Sequence, residues 1–439
     1  MKRRNFIKKT TVAGTAVTMM MPTIIPSSVL GKSAPSNRIN VALIGCGRQM
    51  VKPNIPQMIS SDIAQIISVC DVDAWRLANA KKQVDEAYTK KTGKKYKACK
   101  TFSDHREAIL DSDVDAVMIS TPDHWHVPIA IEAARAGKHI SLEKPISTCV
   151  QHGRELVKAI KKAKVITRND SEFRTIPEFG RAVELVRNGR IGKINRIQVA
   201  VPPELNGSAL EPEPTMAVPK ELDYDMWLGP AFDAPYTEKR VHAQKAYGRP
   251  GWMRVDTYCN GMITNWGAHL MGIAQWGNNT EYTGPTSIEG TGTFDKGLWN
   301  SLNKFDINYQ FGNGVEVAFK IERPYVRFEG SEGWVEVEYP NKLTASSSSI
   351  LKEEIGEGEM QIRNIPSDKD DFFQAIKNNT PSLEPLETAH RTISMCQLGL
   401  ISVQTGNKLT WNPEKEHILD NNAATALLNR PIREKYFKF

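Results

Sequence analysis

The sequence lacks the features that mark disulfide-rich, metal-binding or membrane-spanning proteins. Its six cysteines are scattered over 439 residues, without a C-x-x-C pair or a tight cluster with histidine, so we predict buried thiols and no metal site. No internal repeat is visible, and no apolar run comfortably reaches the roughly 20 residues that cross a bilayer. The length is typical of two globular domains that share a cleft.

Acidic residues are absent from the first 31 positions, which contain five of the basic ones. Arg3 and Arg4 precede a short apolar run (10–21) and then small residues, an order typical of a twin-arginine export signal. We therefore expect cleavage near Gly31 and a periplasmic protein exported in a folded state, often around a cofactor; an uncleaved signal anchor is the alternative. Cleavage lowers the formal net charge from +7 to +2, which gives little support to nucleic-acid binding.

Residues 37–165 alternate apolar strands with stretches of helical length. The strands are "INVALIG", "AQIISVCDV", "VDAVMISTP" and "HISLEKP", and helices are predicted over 73–91 and 126–137. Strands that alternate with helices form a parallel sheet covered on both faces. The pattern predicts a Rossmann-type, doubly wound domain.

The first strand runs into "GCGRQM", which matches part of a G-x-G-x-x-G turn. Gly45 and Gly47 hold the first two glycine positions, whereas Met50 stands at the third. Such glycines let the backbone approach a pyrophosphate. The next strand ends at Asp71, whose carboxylate suits the ribose hydroxyls of NAD and repels the 2′-phosphate of NADP, although the nearby Arg76 softens that preference. A plain turn and a helix-initiating Asp are the alternatives.

Four segments resemble the Gfo/Idh/MocA family of oxidoreductases. They are "STPDHWHVPIAIEAARAGKHISLEKPIS" (120–147), "LDYDMWLGPA" (222–231), "GMITNWGAHLMGIAQWG" (261–277) and the tail "NPEKEHILDNNAATALLNRPIREKY". The resemblance implies a second, α+β domain over 166–439, built on a large open, mostly antiparallel sheet. It also implies a homodimer or homotetramer through that sheet, and C-terminal helices that pack back on the first domain.

The same resemblance implies a set of residues around NAD. The "EKP" lysine, Lys144, lies near the nicotinamide and the substrate hydroxyl, and the bond to Pro145 is often cis in relatives. Lys144 either removes the hydroxyl proton, for which its pKa must fall from about 10.4, or stays charged and donates a hydrogen bond. His124 and His126 have no third ligand nearby, so we predict no metal there. The cofactor-binding set is Gly45, Gly47, Arg48, Asp71, Thr121, Pro122, His124, Trp125, His126, Glu143 and Lys144.

The second domain supplies the substrate residues that the resemblance implies. If 263–276 is one helix, Asn265 and His269 are four apart on one face, where many relatives have an Asp that orients a catalytic His. Asn265 holds the imidazole without stabilising an imidazolium, and Gly272 stands where a second Asp is frequent. The catalytic set is Lys144, His269 and Asn265. The substrate set is Glu172, Arg174, Trp252, Trp266 and His269, although Glu172 and Arg174 are equally suited to a surface ion pair.

Three functions fit these residues. The first is an exported oxidoreductase that moves a hydride between a sugar or glycoside carbon and a tightly bound NAD, with NADP a weaker candidate. The second is a glycosidase that oxidises C3 transiently, eliminates the aglycone and reduces the ketone again. The third is a sugar-binding or regulatory module without turnover, which the missing Asp residues favour and the presence of Lys144 and His269 opposes.

Overall fold

Two sheets organise the part of the chain that this computed structural model describes, residues 38–204, 213–419 and 421–439. The predicted signal, residues 1–31, lies outside the described residues. The first sheet has six parallel strands in the order β3-β2-β1-β4-β5-β6. They are β1 (Ile39–Ile44), β2 (Ala64–Cys70), β3 (Lys100–Phe102), β4 (Ala116–Ile119), β5 (His139–Glu143) and β6 (Thr167–Asp170).

Helices on both faces connect these strands, and this confirms the predicted Rossmann-type domain. They are α1 (Ile55–Ser60), which follows a wider helical turn at Met50–Asn54, α2 (Ala74–Thr92), α3 (His105–Leu110), α4 (His126–Arg135) and α5 (Val150–Ala163). The strand order reverses between β1 and β4, and open α/β sheets bind their ligands at such a switch point. The Gly45 turn follows β1 at that position.

The first sheet also takes a strand from beyond the predicted domain boundary at residue 165. β6 pairs with β5 from Ile140–Thr167 to Glu143–Asp170. The C-terminal third of the chain then covers this edge, since Asn169 N donates to Glu384 O at 2.8 Å. The helices Asp368–Asn378 and Leu386–Thr405 also contact β6, and the second of them packs on α5.

The second sheet has nine strands in the order β13-β12-β11-β7-β10-β9-β8-β14-β15. Only the β7–β10 pair is parallel, so the sheet is mostly antiparallel, as predicted. The Asn313–Gly314 turn joins β9 to β10 as a hairpin. The strands are β7 (Ile194–Val201), β8 (Pro285–Phe294), β9 (Leu302–Phe311), β10 (Glu316–Ile321), β11 (Tyr325–Gly330), β12 (Gly333–Glu338), β13 (Lys342–Ala345), β14 (Leu409–Asn412) and β15 (His417–Leu419).

The helices of the second half pack mainly on one face of this sheet. The helix predicted over 263–276 is divided at Trp266 into two segments, Met262–Asn265 and Gly267–Gly277. The helices are α6 (Pro177–Arg187), α7 (Tyr224–Leu228), α8 (Met262–Asn265), α9 (Gly267–Gly277), α10 (Ser348–Lys352), α11 (Asp368–Asn378), α12 (Leu386–Thr405) and α13 (Asn422–Ala426).

No helix among the described residues combines the length and apolar character needed to cross a bilayer.

One glycine contact joins the two halves next to the switch point. The Trp125 ring packs against Gly229, where a Cβ would lie 2.1 Å from the ring. Gly229 has φ +48°, a conformation that costs side-chain-bearing residues energy. Trp125 Nε1 also donates to the Met226 and Trp227 carbonyls at 3.0 and 3.1 Å. A side chain at position 229 would therefore push the Trp125 ring of the Rossmann domain away from the second half of the chain.

We expect Gly229→Ala to destabilise the protein by roughly 2–4 kcal/mol, because overpacking and backbone strain add. Urea unfolding followed by tryptophan fluorescence measures the change. Gly312→Ala is the control, since its Cβ would meet only Thr286 at 3.8 Å. Equal unfolding midpoints for the two variants would contradict the proposed role of this contact.

Candidate functional site

A cavity of about 410 Å³ lies at the carboxyl ends of the parallel strands. That volume lies in the usual range for small-molecule sites. One wall comes from the Rossmann domain and the other from the second half of the chain. Of the predicted site residues, the lining includes Gly45, Gly47, Arg48, Asp71, Thr121, Pro122, Trp125, His126, Glu143, Lys144, Glu172, Trp252, Asn265, Trp266 and His269.

The glycine turn forms the phosphate end of the cavity. Gly45 has φ +87°, and a Cβ there would lie 2.7 Å from the Ser120 carbonyl oxygen, so only glycine fits. A Cβ on Gly47 would meet nothing within 4 Å, which leaves the backbone open to a ligand. The Arg48 guanidinium forms no hydrogen bond or ion pair with any described residue. Met50 is fully buried and fills the helix-to-strand contact.

These features suit a dinucleotide pyrophosphate. The open backbone at Gly47 permits a close approach, and the Arg48 guanidinium supplies the positive charge that a diphosphate needs. A helical segment begins directly after the turn, with Val51 N donating to Gly47 O at 3.1 Å. The residues present therefore fit the phosphate part of NAD.

Asp71 lies at the adenosine end. Its Oδ2 accepts from Cys46 N at 2.6 Å and its Oδ1 accepts from Asp73 N at 2.8 Å. Burial raises the pKa of the Asp71 carboxyl, while the two amide donors oppose that rise. A carboxylate oxygen has a second lone pair, so Asp71 can still accept a ribose hydroxyl. Its place at the end of β2 fits NAD.

Arg76 does not supply a free site for a 2′-phosphate. Its guanidinium donates to the carbonyls of Ala243 and Ala246 at 3.2 and 2.9 Å and lies 3.6 Å from Asp73 Oδ2. It also lies over the Tyr247 ring, 5.1 Å from the centroid. Since these groups already occupy the guanidinium, the adenosine end favours NAD over NADP.

Residues 221–250 form a strap along the cavity, and its contacts with Val72, Asp73 and Ala74 lie at this end. Ala74 N donates to Glu221 O at 2.8 Å, and Asp223 N donates to Val72 O at 3.0 Å. The His242 Nε2 atom lies 3.1 Å from Asp73 Oδ2. No motif marks this strap, since the sequence between 203 and 260 has little periodicity. The strap residues in the cavity wall are Met226, Trp227, His242, Gly248, Arg249 and Pro250.

The segment Thr121–His126 borders the cavity, but its two histidines form hydrogen bonds with backbone carbonyl groups of the protein. Both ring nitrogens of His126 face carbonyl oxygens, at 2.7 Å to Pro145 and 2.9 Å to Thr121, so the ring joins two strand ends. His124 lies outside the cavity lining, which corrects its predicted cofactor role. Its Nε2 is 3.0 Å from Trp227 O, and burial lowers its pKa to about 4.

Lys144 lies at the opposite end of the cavity, directly after β5. Its Nζ donates to the Asn265 carbonyl oxygen at 3.2 Å, and the bond to Pro145 is cis. The preceding Glu143 is buried and accepts from Asn54 Nδ2 at 3.1 Å. Because one acceptor uses only one of the three ammonium donors, Lys144 can also reach a substrate oxygen.

His269 is oriented by a residue that the sequence analysis did not identify. Its Nδ1 lies 2.8 Å from Ser171 Oγ, and its ring stacks on Phe173 with 4.3 Å between centroids. The Glu172 Oε2 atom is 3.9 Å from the same nitrogen. Burial, aided by the positive charge of Lys144, lowers the pKa of His269 well below its usual value. The imidazole is therefore neutral near pH 7.

Asn265 does not hold the imidazole, contrary to the prediction. The two residues lie on successive helical segments, and the imidazole Nδ1 is paired with Ser171 Oγ at 2.8 Å instead. The Asn265 side-chain amide has no hydrogen-bond partner among the described residues and lines the cavity. It is placed to contact a ligand directly. Ser171 directly follows β6, and its position at the carboxyl end of a parallel strand is the signal that could have identified it.

Glu172 and Arg174, which the family resemblance places together in the substrate set, lie in different environments. Glu172 lines the cavity with 46% of its side chain exposed, and partial burial raises its pKa. Arg174 is buried outside the lining and donates to Glu281 Oε1 at 2.6 Å. Its guanidinium also lies 3.7 Å from Glu384 and over the Trp276 ring. The structure therefore assigns Arg174 to a buried ion-pair network rather than to substrate contact.

Comparisons with known proteins agree with this geometry. Residues 39–171 match the family description "Oxidoreductase family, NAD-binding Rossmann fold", and residues 205–438 match "Oxidoreductase family, C-terminal alpha/beta domain". The second match alone covers more than half of the chain. The two descriptions correspond to the two halves of the structure.

Curated relatives match over part of their length. The glycosyl hydrolase family 109 protein 2 of Shewanella sp. (strain ANA-3) is 30% identical over 210 residues, 44% of each chain. The myo-inositol 2-dehydrogenase of Thermotoga maritima is 29% identical over 173 residues, 38% of this chain and 48% of the relative. The alignments thus span less than half of these relatives.

A solved structure matches over most of the chain. The aldose-aldose oxidoreductase from Caulobacter crescentus, complexed with glycerol, superposes with a TM-score of 0.61 at 16% identity, covering 85% of this chain and 99% of that one. At this identity the likeness shows the fold alone. The two family matches establish that the chain belongs to the Gfo/Idh/MocA family of oxidoreductases, whose first domain is an NAD-binding Rossmann fold.

Proposed function

We propose that the protein transfers a hydride between a hydroxyl-bearing carbon of a sugar or glycoside and a nicotinamide held in the cavity. The observation that carries this proposal is the convergence of Lys144, Glu172 and His269 at one end of a cavity whose other end has the glycine turn and Asp71. That arrangement suits a dinucleotide with its nicotinamide beside the proton-transfer groups.

When bound, NAD supplies the hydride acceptor, and the protein handles the proton and the position of the substrate. Lys144 Nζ bonds to the hydroxyl oxygen and takes or shares its proton. His269 is neutral, so it exchanges a proton or donates a hydrogen bond without carrying charge in its resting state. Asn265 contributes an unpartnered amide, and Trp252 and Trp266 supply flat apolar faces for a sugar ring.

The strap supports a cofactor that stays bound through many turnovers. Its backbone bonds to Val72 and Ala74 and the Arg76 contacts close the adenosine end. We propose that the mature protein works in the periplasm, where no free NAD pool exists, so that a second sugar must reoxidise the nicotinamide in place. A homodimer or homotetramer stays a prediction from the family resemblance.

A second candidate is the redox-neutral glycosidase. The name of the Shewanella relative, a glycosyl hydrolase, supports it. The presence of Glu172 beside Lys144 and His269 supports it too, because elimination needs a base for a carbon-bound proton in addition to the group that serves the hydroxyl. The names of the inositol dehydrogenase and the aldose-aldose oxidoreductase support net hydride transfer.

The purified, export-processed protein should contain stoichiometric NAD or NADH. Denaturation followed by chromatography and absorbance of the released nucleotide measures it.

Tyr247→Ala, which removes a ring packed on Trp75 at 5.2 Å and on Arg76, should speed nucleotide loss at least about tenfold during gel filtration. The control is Tyr282→Ala, whose side chain is 68% exposed. If the wild-type protein contains no nucleotide and binds no added NAD, the proposed oxidoreductase activity is contradicted and the sugar-binding module is favoured.

Lys144→Ala should reduce turnover by about a thousandfold, because the substrate hydroxyl loses the group that accepts its proton or holds its oxygen. The measurement is the change in near-ultraviolet absorbance of bound nicotinamide after addition of a panel of sugars. Nucleotide content should match that of the wild type. Lys158→Ala, at a position whose side chain is 63% exposed, is the control and should be fully active. A Lys144→Ala variant with wild-type turnover would contradict the proposed role.

Ser171→Ala should lower kcat about tenfold with little change in KM, because His269 loses the bond that fixes its ring and tautomer. Steady-state kinetics with a sugar that reacts measures kcat and KM separately. Ser171→Thr keeps the hydroxyl and should restore most of kcat. If the alanine variant retains the wild-type kcat, Ser171 does not position the histidine.

A further inference from the structure

The substrate end of the cavity contains little positive charge that a ligand can use. Arg249 donates from Nε and Nη2 to the two carboxylate oxygens of Glu204 at 2.7 and 2.6 Å. Arg254 shares the same carboxylate at 3.3 Å and lies over the Trp299 ring. The guanidinium groups nearest the substrate are thus already paired.

The remaining cations have other partners or positions. Arg174 is held by Glu281 and Glu384 outside the lining. Arg48 follows Gly47 at the phosphate end, where the diphosphate of NAD would neutralise it. The neutral His269 adds no charge. Among the described lining residues, Lys144 is therefore the one cation beside the reacting carbon of the substrate. In the proposed reaction, its Nζ is already bonded to the substrate hydroxyl.

Glu172 adds a negative group in the same place. Nearly half of its side chain is exposed to the cavity, and its nearest basic neighbour, His269 Nδ1 at 3.9 Å, is uncharged. A carboxylate with free oxygens accepts hydrogen bonds from hydroxyl groups. A second carboxylate or a phosphate at this distance is repelled, and in an enclosed site such like-charge contacts cost several kcal/mol.

Three further groups at this end have no formal charge. Trp252 and Trp266 offer ring faces, and Asn265 offers an amide without a partner among the described residues. This combination of flat apolar faces, an amide and one hydroxyl-accepting carboxylate recognises a polyhydroxylated ring.

We infer that Glu172 makes the site selective for uncharged sugars and excludes sugar acids and nucleotide-linked sugars. This inference rests on the proposed function, because it assumes that a sugar binds beside Lys144. It adds the charge class of the substrate and names Glu172 as the residue that determines it.

The test uses matched ligand pairs on the NAD-loaded protein. Calorimetric titration compares methyl glucoside with methyl glucuronide and methyl galactoside with methyl galacturonide, which differ only in oxidation at C6. In each pair that binds, the neutral member should bind at least about tenfold more tightly. Glu172→Gln should reduce this ratio severalfold, because the amide removes the repulsion. Glu178→Gln, on the first turn of α6 and outside the cavity lining, should leave the ratio unchanged.

The outcomes separate this inference from the function on which it rests. If a uronide binds as tightly as its neutral partner, or if Glu172→Gln leaves the ratio intact, charge selection by Glu172 is overturned while the sugar oxidoreductase stands. If no member of any pair binds although NAD is present, the sugar substrate itself is wrong and the inference falls with it. Nucleotide content of the Glu172→Gln variant shows that the site remains assembled.

Discussion

The site depends on a buried guanidinium on the edge strand of the first sheet. Arg168 on β6 is fully buried, and its Nε donates to Asp371 Oδ2 at 3.0 Å. Its other nitrogens donate to the Asn169 carbonyl at 2.5 Å and to the Ser171 carbonyl at 3.3 Å. A buried charge is tolerated only when such partners surround it, and loss of one partner is strongly destabilising. The end of β6 is therefore fixed by side chains as well as by the sheet.

The residues that directly follow β6 are held in place because the end of that strand is fixed. Ser171 reaches His269, Glu172 enters the cavity and Phe173 stacks on the imidazole, so three consecutive positions build one side of the proton-transfer site. Lys369 and Asp170 form another buried ion pair beside Arg168. Rigid support of this kind limits the positional freedom of the reacting groups, which catalysis by orientation requires.

The sequence predicts the parts of the fold that follow from local pattern. Strand and helix periods identify the Rossmann domain, and the glycine turn with Asp71 marks the nucleotide end of the cavity. Prediction failed where tertiary contacts decide: His269 bonds to Ser171, which lies 98 positions away in the chain, and not to Asn265. Arg174 follows the cavity residue Glu172 by only two positions, yet its partners Glu281 and Glu384 come from distant segments. Spacing along the chain contains no information about those partners.

The division of roles at the substrate end follows from desolvation. Burial disfavours the imidazolium at His269, and the charge of Lys144 opposes it further, so the imidazole is neutral near pH 7. The same burial raises the pKa of Glu172 and increases its affinity for a proton. Net hydride transfer needs one proton acceptor, whereas elimination at a neighbouring carbon needs a second. A carboxylate that enclosure makes more basic is suited to that second step, so the distinction between the two proposed reactions depends on whether Glu172 contacts a substrate hydroxyl or the carbon-bound hydrogen beside it.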